Sequence, residues 1–159
     1  MLNESLVWQL LDDVKDPEIP VVSVVEMGII REVQVAGGNV RVVMTPTFSG
    51  CPALETMRSD IEERLHQAGA QQVDVSLTLS PPWTSDWITA EARQKLKDFG
   101  LAPAPQFAGS LELAWLDVVT CPDCDSQDTV LKNSFGSTLC RAIYFCNACQ
   151  QPFEQFKPI

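Results

Sequence analysis

The chain has 159 residues, 45% of them hydrophobic, with 11 basic against 21 acidic residues and a net charge of −10. This length holds one ordinary domain, or a domain of about 100 residues with a small appendage. The acid surplus repels phosphate backbones and anionic lipid, which argues against nucleic acid and membrane surfaces as partners.

No run approaches the roughly 18 apolar residues of a membrane span, and Met1-Leu2-Asn3-Glu4-Ser5 lacks the basic start of a signal peptide. A cytoplasmic setting with reduced thiols is expected. There, six cysteines read as metal ligands or reactive groups rather than as a disulfide framework.

Leu6, Val7, Leu10, Leu11 and Val14 recur at helical spacing after a capping Asn3, and Asp16-Pro17 stops the run. The acidic turn Asp16-Pro17-Glu18-Ile19-Pro20 follows, its carboxylates solvating a loop or facing a metal or partner. After the apolar run Val21 to Val25, Ile29, Arg31, Val33 and Val35 alternate with Ile30, Glu32 and Gln34, which predicts a strand. Gly37-Gly38-Asn39 turns it into a second strand through Val40, Val42 and Met44.

That strand delivers the chain to Thr45-Pro46-Thr47-Phe48-Ser49-Gly50-Cys51-Pro52. Pro52 is preset for a first helical position, so Cys51 is expected at or beside the N-cap, where free N–H groups favour a thiolate. Gly50 allows a sharp turn or close approach to a bound group, and Thr47 and Ser49 flank it. The same pattern also fits an inert buried cysteine.

Leu54, Met57, Ile61, Leu65 and Ala68 mark one face of the following helix, with Gly69 as its stop. His66 is the only histidine and reads as a surface residue. Val73, Val75, Leu77 and Leu79 alternate as a third strand, which feeds the loop Ser80-Pro81-Pro82-Trp83-Thr84-Ser85-Asp86-Trp87. If the three strands share a sheet, this loop and the Cys51 loop meet at one end. A short helix from about Thr89 to Phe99 is closed by Gly100.

Residues 101–110, with prolines, small residues and no period, read as a linker between a first domain at 1–100 and a second at 111–159. The first is an α-β-β-α-β-α unit of α+β class with a small mixed or antiparallel sheet. In the second, Cys121-Pro122-Asp123-Cys124 and Cys146-Asn147-Ala148-Cys149 form two C-x-x-C pairs. Four thiolates from two short turns close a tetrahedron around one ion, the pattern of a structural zinc ribbon. A rubredoxin-like iron, a redox dithiol pair and an iron-sulfur cluster also fit four cysteines. Cys140 reads as a packed thiol or a spare ligand.

These motifs, together with Phe135-Gly136-Ser137-Thr138 leading through Cys140 to the Pro152-Phe153 tail, resemble the PaaD family. That family is the small accessory component encoded with the bacterial phenylacetyl-CoA 1,2-epoxidase system. The first domain is also similar to the iron-sulfur maturation domain of SufT, in which a cysteine matching Cys51 is the functional residue.

The resemblance implies a cytoplasmic accessory protein, not itself catalytic, that assembles or repairs an iron-sulfur cluster in the epoxidase's reductase subunit. It implies structural zinc on Cys121, Cys124, Cys146 and Cys149 and transient iron or cluster on Cys51. The missing ligands would come from the client, from a small thiol or from a second copy in a homodimer. Asp16, Glu18, Trp83, Asp86 and Trp87 are then candidate partner contacts. A non-catalytic structural subunit of the oxygenase complex is the alternative. Glu63-x-x-His66 occurs once and lacks the mate that a di-iron site needs.

Overall fold

A computed structural model of the chain describes residues 1–106 and 118–159. They divide into two compact units, Met1–Trp83 and Thr84–Ile159.

In the first unit, Asn3 caps α1 (Glu4–Asp12) by accepting the Leu6 N–H at 2.9 Å. Strands β1 (Ile30–Ala36) and β2 (Asn39–Met44) form an antiparallel hairpin, and β2 pairs in parallel with β3 (Gln72–Leu77). The sheet is therefore mixed, in the order β1-β2-β3. The connection from β2 to β3 carries α2 (Leu54–Gln67). Val33, Val42, Met44 and Val75 from the strands and Met57, Ile61 and Leu65 from α2 are buried, as are Val7 and Leu11 of α1.

Because β2 and β3 run parallel, loops 45–53 and 78–83 leave the sheet from the same edge, where the Thr78 N–H donates to the Met44 carbonyl at 2.9 Å. Side chains outside the carboxyl ends of parallel strands can converge, which makes this edge a natural place for a site.

Trp83, expected as a partner contact, is a core residue at 3% exposure, and its Nε1–H donates to the Met27 carbonyl at 2.9 Å. A large ring with one donor is better satisfied against a buried carbonyl than in water. Trp83→Phe keeps an aromatic ring and removes the bond, so it should cost about 1–3 kcal/mol of stability. Thermal unfolding of the two proteins checks this.

The second unit begins with a 3-10 turn (Ser85–Trp87) and α3 (Ala90–Asp98), continues through β4 (Leu101–Ala102), and ends in β5 (Thr129–Asn133), β6 (Arg141–Cys146) and β7 (Pro152–Phe156). Its sheet runs β4-β7-β6-β5, with β4 parallel to β7. The structure thus departs from the expected linker at 101–110 and boundary at 100. Leu101 and Ala102 fill an edge of the ribbon's sheet, and α3 goes with them.

The Arg93 guanidinium fastens this segment by donating to the Ser85, Ile88 and Ala104 carbonyls, and Lys97 pairs with Asp125 beside the first cysteine knuckle. The Thr84 hydroxyl and Ser85 N–H both donate to the Ile159 carbonyl, at 2.7 and 2.9 Å. A two-residue strand and a proline-rich tail have no period, so composition alone cannot reveal these bonds. Residues 107–110 of the expected linker and 111–117 of the expected ribbon lie outside the described residues.

Gly136 sits where a Cβ would lie 2.7 Å from Glu154 Oε1 and 3.1 Å from the Arg141 carbonyl carbon. Gly136→Ala should therefore cost about 1–3 kcal/mol through overpacking, read as a lower melting temperature of the metal-loaded protein.

Candidate functional site

The four cysteines of the two knuckles come together at the end of the second sheet where β5 and β7 begin and β6 finishes. Their Sγ atoms all lie within 4.8 Å of one another, Cys121 to Cys149 at 3.7 Å and Cys124 to Cys146 at 3.6 Å. A tetrahedral ion with bonds of about 2.3 Å needs sulfurs roughly 3.8 Å apart, so the set fits a closed four-thiolate site.

The two knuckles have the same construction. Asp125 N–H donates to the Cys121 carbonyl and Gln150 N–H to the Cys146 carbonyl, at 3.0 and 2.9 Å. Both Asp125 and Gln150 take a left-handed φ of 59°. The N–H groups of Cys149 and Ala148 point at the Cys146 sulfur and lower it to about 7, the Cys149 N–H being the largest cause. Burial is the main reason that the Cys149 thiol is pushed up to about 12. Cys140 stands outside this set, its Sγ 3.0 Å from the Thr138 hydroxyl.

Cys51 lies in the other unit, on the loop that leaves β2. The Cys51 N–H donates to the Phe48 carbonyl and the Leu54 N–H to the Cys51 carbonyl, both at 3.2 Å, so Pro52 and Ala53 form a turn before the helix. Ala53, not Cys51, occupies the cap position, and no side chain caps this helix.

The expected thiolate is accordingly not favoured. Burial raises the thiol above its ordinary value, the Glu18 and Asp16 carboxylates raise it further, and the Ala53 and Leu54 N–H groups oppose both without prevailing. Cys51 is half-buried and protonated at neutral pH. Gly50 and Ser49 are exposed, Thr47 is half-buried, and a Cβ at Gly50 would meet nothing within 4 Å. The space beside Cys51 is open, and no close backbone approach demands that glycine.

Asp16 and Glu18 thus act electrostatically on Cys51 although they are distant in sequence. Asp16 is nearly buried, and its Oδ1 accepts the Glu18 and Ile19 N–H groups at 2.8 and 3.1 Å, which fixes the turn. The structure brings these two carboxylates toward Cys51 but leaves Trp83 in the core and Asp86 and Trp87 half-buried in the second unit.

Sequence reading missed the reciprocal pair of Ser23 and Glu26. Ser23 N–H donates to Glu26 Oε2 and Glu26 N–H to Ser23 Oγ, at 2.9 and 3.0 Å, next to Met27, which anchors Trp83. The S-x-x-E spacing carried that signal. It also missed Thr45, whose fully buried hydroxyl has no hydrogen-bond partner.

Among the described residues, no helix is long and apolar enough to cross a membrane. Residues 4–77 match the iron-sulfur cluster assembly protein family, and residues 111–157 match the PaaD zinc beta ribbon domain. Over 96% of its length the chain is 40% identical to an Escherichia coli K12 protein named as a putative component of the 1,2-phenylacetyl-CoA epoxidase, covering 92% of that protein.

Over 59% of its length the chain is 37% identical to an Fe-S protein maturation auxiliary factor of Porphyromonas gingivalis, covering 90% of it. Among solved structures, a conserved hypothetical protein from Thermotoga maritima is 34% identical with a TM-score of 0.52, over 60% of this chain and 94% of its own. A domain of unknown function, DUF59, from Bacillus anthracis is 27% identical with a TM-score of 0.55, over 58% of this chain and 90% of its own. With an iron-sulfur assembly unit in front, a four-cysteine ribbon behind, and a relative matched along nearly its whole length, the chain belongs to the PaaD family of phenylacetyl-CoA epoxidase subunits.

Proposed function

We propose that this protein is an accessory factor of the phenylacetyl-CoA epoxidase system that delivers iron or an iron-sulfur cluster to the reductase subunit through Cys51. The supporting observation is the half-buried thiol at the carboxyl ends of two parallel strands, with open space beside it and two carboxylates acting on it. It sits in a unit that matches an iron-sulfur assembly family.

Cys51 loses its proton as the cargo arrives, because only a thiolate is a ligand. A single thiolate cannot complete the coordination of iron or a cluster, so the remaining ligands come from the client, a second copy or a small thiol. On transfer, client thiolates replace Cys51. The surroundings that raise this thiol then favour the return of its proton, which makes release the downhill direction.

Cys121, Cys124, Cys146 and Cys149 hold a zinc ion that, when bound, supplies a closed structural centre with no open position for chemistry. Nothing in the transfer passes through it.

Cys51→Ser tests this reading. The variant should fold and keep its ribbon metal, while the reductase made beside it carries a depleted cluster. Full cluster content in that strain would end the proposal. The naming of the E. coli relative as an epoxidase component favours a second reading, a permanent structural member of the oxygenase complex. Recovery at fixed stoichiometry with an active epoxidase, together with an indifferent Cys51→Ser, would establish it.

A further inference from the structure

The end of the second sheet opposite the cysteines is built differently from the rest of the unit. There the loop from Ser134 to Cys140 joins β5 to β6, closed by Gly136 N–H donating to the Arg141 carbonyl at 2.8 Å and Arg141 N–H to the Thr138 carbonyl at 3.1 Å. Glu154 of β7 holds it from beneath. Its carboxylate accepts the Ser137 N–H at 2.7 Å and the Ser137 hydroxyl at 3.1 Å, and pairs with Arg141 at 3.0 Å. Burial alone would raise this carboxyl, but these donors prevail and hold it below its ordinary value.

A loop braced by a partly buried ion pair would be expected to turn apolar side chains inward. This one turns them out. Phe135 is 63% and Leu139 54% exposed. Phe135 is also held in place, with Lys157 Nζ 4.8 Å from its ring centroid. Single exposed apolar residues are ordinary, but two large ones on a pre-organised loop are arranged as binding anchors, since little ordering remains to be done on contact.

Charge selects the partner. Within residues 118–159 the basic side chains are Lys132, Arg141 and Lys157, all at this end, whereas Asp123, Asp125 and Asp128 lie at the cysteine end. In a chain of net charge −10, this is a place where an acidic surface is not repelled.

We propose that Phe135 and Leu139 are the docking anchors of the ribbon, inserting into an apolar pocket rimmed by carboxylates on another protein of the epoxidase assembly. The proposal rests on the accessory reading above and assigns the partner to the end of the ribbon away from its metal. Recognition and transfer are then separate tasks on separate units: the ribbon loop holds the client and Cys51 supplies the cargo.

The full-length protein and the double variant Phe135→Ser/Leu139→Ser are titrated against an equimolar mixture of the other purified epoxidase subunits, with ribbon metal content as the control for folding. The wild type should bind, more weakly as sodium chloride is added, and the variant about 30-fold or more weakly at unchanged metal content. Should the double variant lose its metal, Lys132→Glu, at an exposed strand position, takes its place and should weaken binding about tenfold.

Equal affinity of wild type and variant overturns the proposal, as does absence of binding by the wild type. So does a loss in the variant of self-association, or of retention on phosphatidylglycerol vesicles, in place of subunit binding. Cys51→Ser run in parallel separates the two ideas. Lost delivery in Cys51→Ser with normal binding by the loop variant leaves the transfer function standing and removes the docking surface. The reverse pattern removes the transfer function.

Discussion

Stripping the metal from the ribbon is expected to unfold the second unit while leaving the first intact. The core of the ribbon is small, consisting of Ala102, Val119, Cys121, Ala142, Tyr144, Cys146 and Phe153, so two of its buried members are themselves ligand cysteines. Four thiols packed within 4.8 Å without an ion gain little from one another. Asp125 and Gln150 hold left-handed backbone that costs non-glycine residues on the order of 1 kcal/mol or more each. Structural zinc in small domains supplies an apparent binding energy of about 10–16 kcal/mol, well above those costs and the margin left by such a core.

Cys124 is exposed, so a chelator has a way in. Treatment with a strong chelator, or Cys121→Ser, should produce protease cleavage within 84–159 and loss of the Tyr144 and Phe153 ring environment, with a surviving fragment near 1–83. The front unit has its own core in Val7, Leu11, Val42, Met57, Ile61 and Leu65, which contains no ligand. Unchanged protease resistance after metal removal would refute a structural ion.

The elements with a strong period were legible in the sequence. β2, α2 and β3 follow the alternation of Val40-Val42-Met44, the stripe Leu54-Met57-Ile61-Leu65 and the alternation of Val73-Val75-Leu77. The meeting of the two loops at one sheet edge followed from strand order, and the parallel register of β2 on β3 provides it. The cysteine cluster was legible because knuckle spacing is itself a geometric statement.

What failed were readings that tertiary burial decides. Pro52 marks a helix entrance, but the helix begins two residues later, and the protonation of Cys51 is set by burial and by carboxylates from a turn before β1. Trp83 looked like a surface ring because it lies in a proline-rich loop, yet its partner Met27 is far away in the chain. Leu101-Ala102 is too short to carry any period.

The loading of Cys51 should depend steeply on pH, and the sign follows from the raised thiol. Its ordinary value is 9.0 and the folded value lies above that, so throughout the neutral range the proton competes with the cargo for sulfur. Affinity for ferrous iron should therefore rise about tenfold per pH unit between pH 6 and 8, with no plateau below pH 9, for each thiol proton displaced. Glu18→Gln and Asp16→Asn each remove a charge that raises the thiol, so both should let the thiolate form at lower pH.

For iron the two effects of Glu18→Gln oppose each other, since the carboxylate also attracts a cation. For a neutral alkylating reagent only the thiolate fraction matters. Iodoacetamide should accordingly modify Cys51 slowly in the wild type at pH 7 and several-fold faster in Glu18→Gln, with Cys51→Ser as the blank. Asp16 also accepts two backbone N–H groups, so Asp16→Asn carries a stability cost that Glu18→Gln avoids, which makes Glu18 the cleaner probe. An alkylation rate that levels off near pH 7 in the wild type would show a low thiol and contradict the release step, because a stable thiolate has no reason to surrender its cargo for a proton.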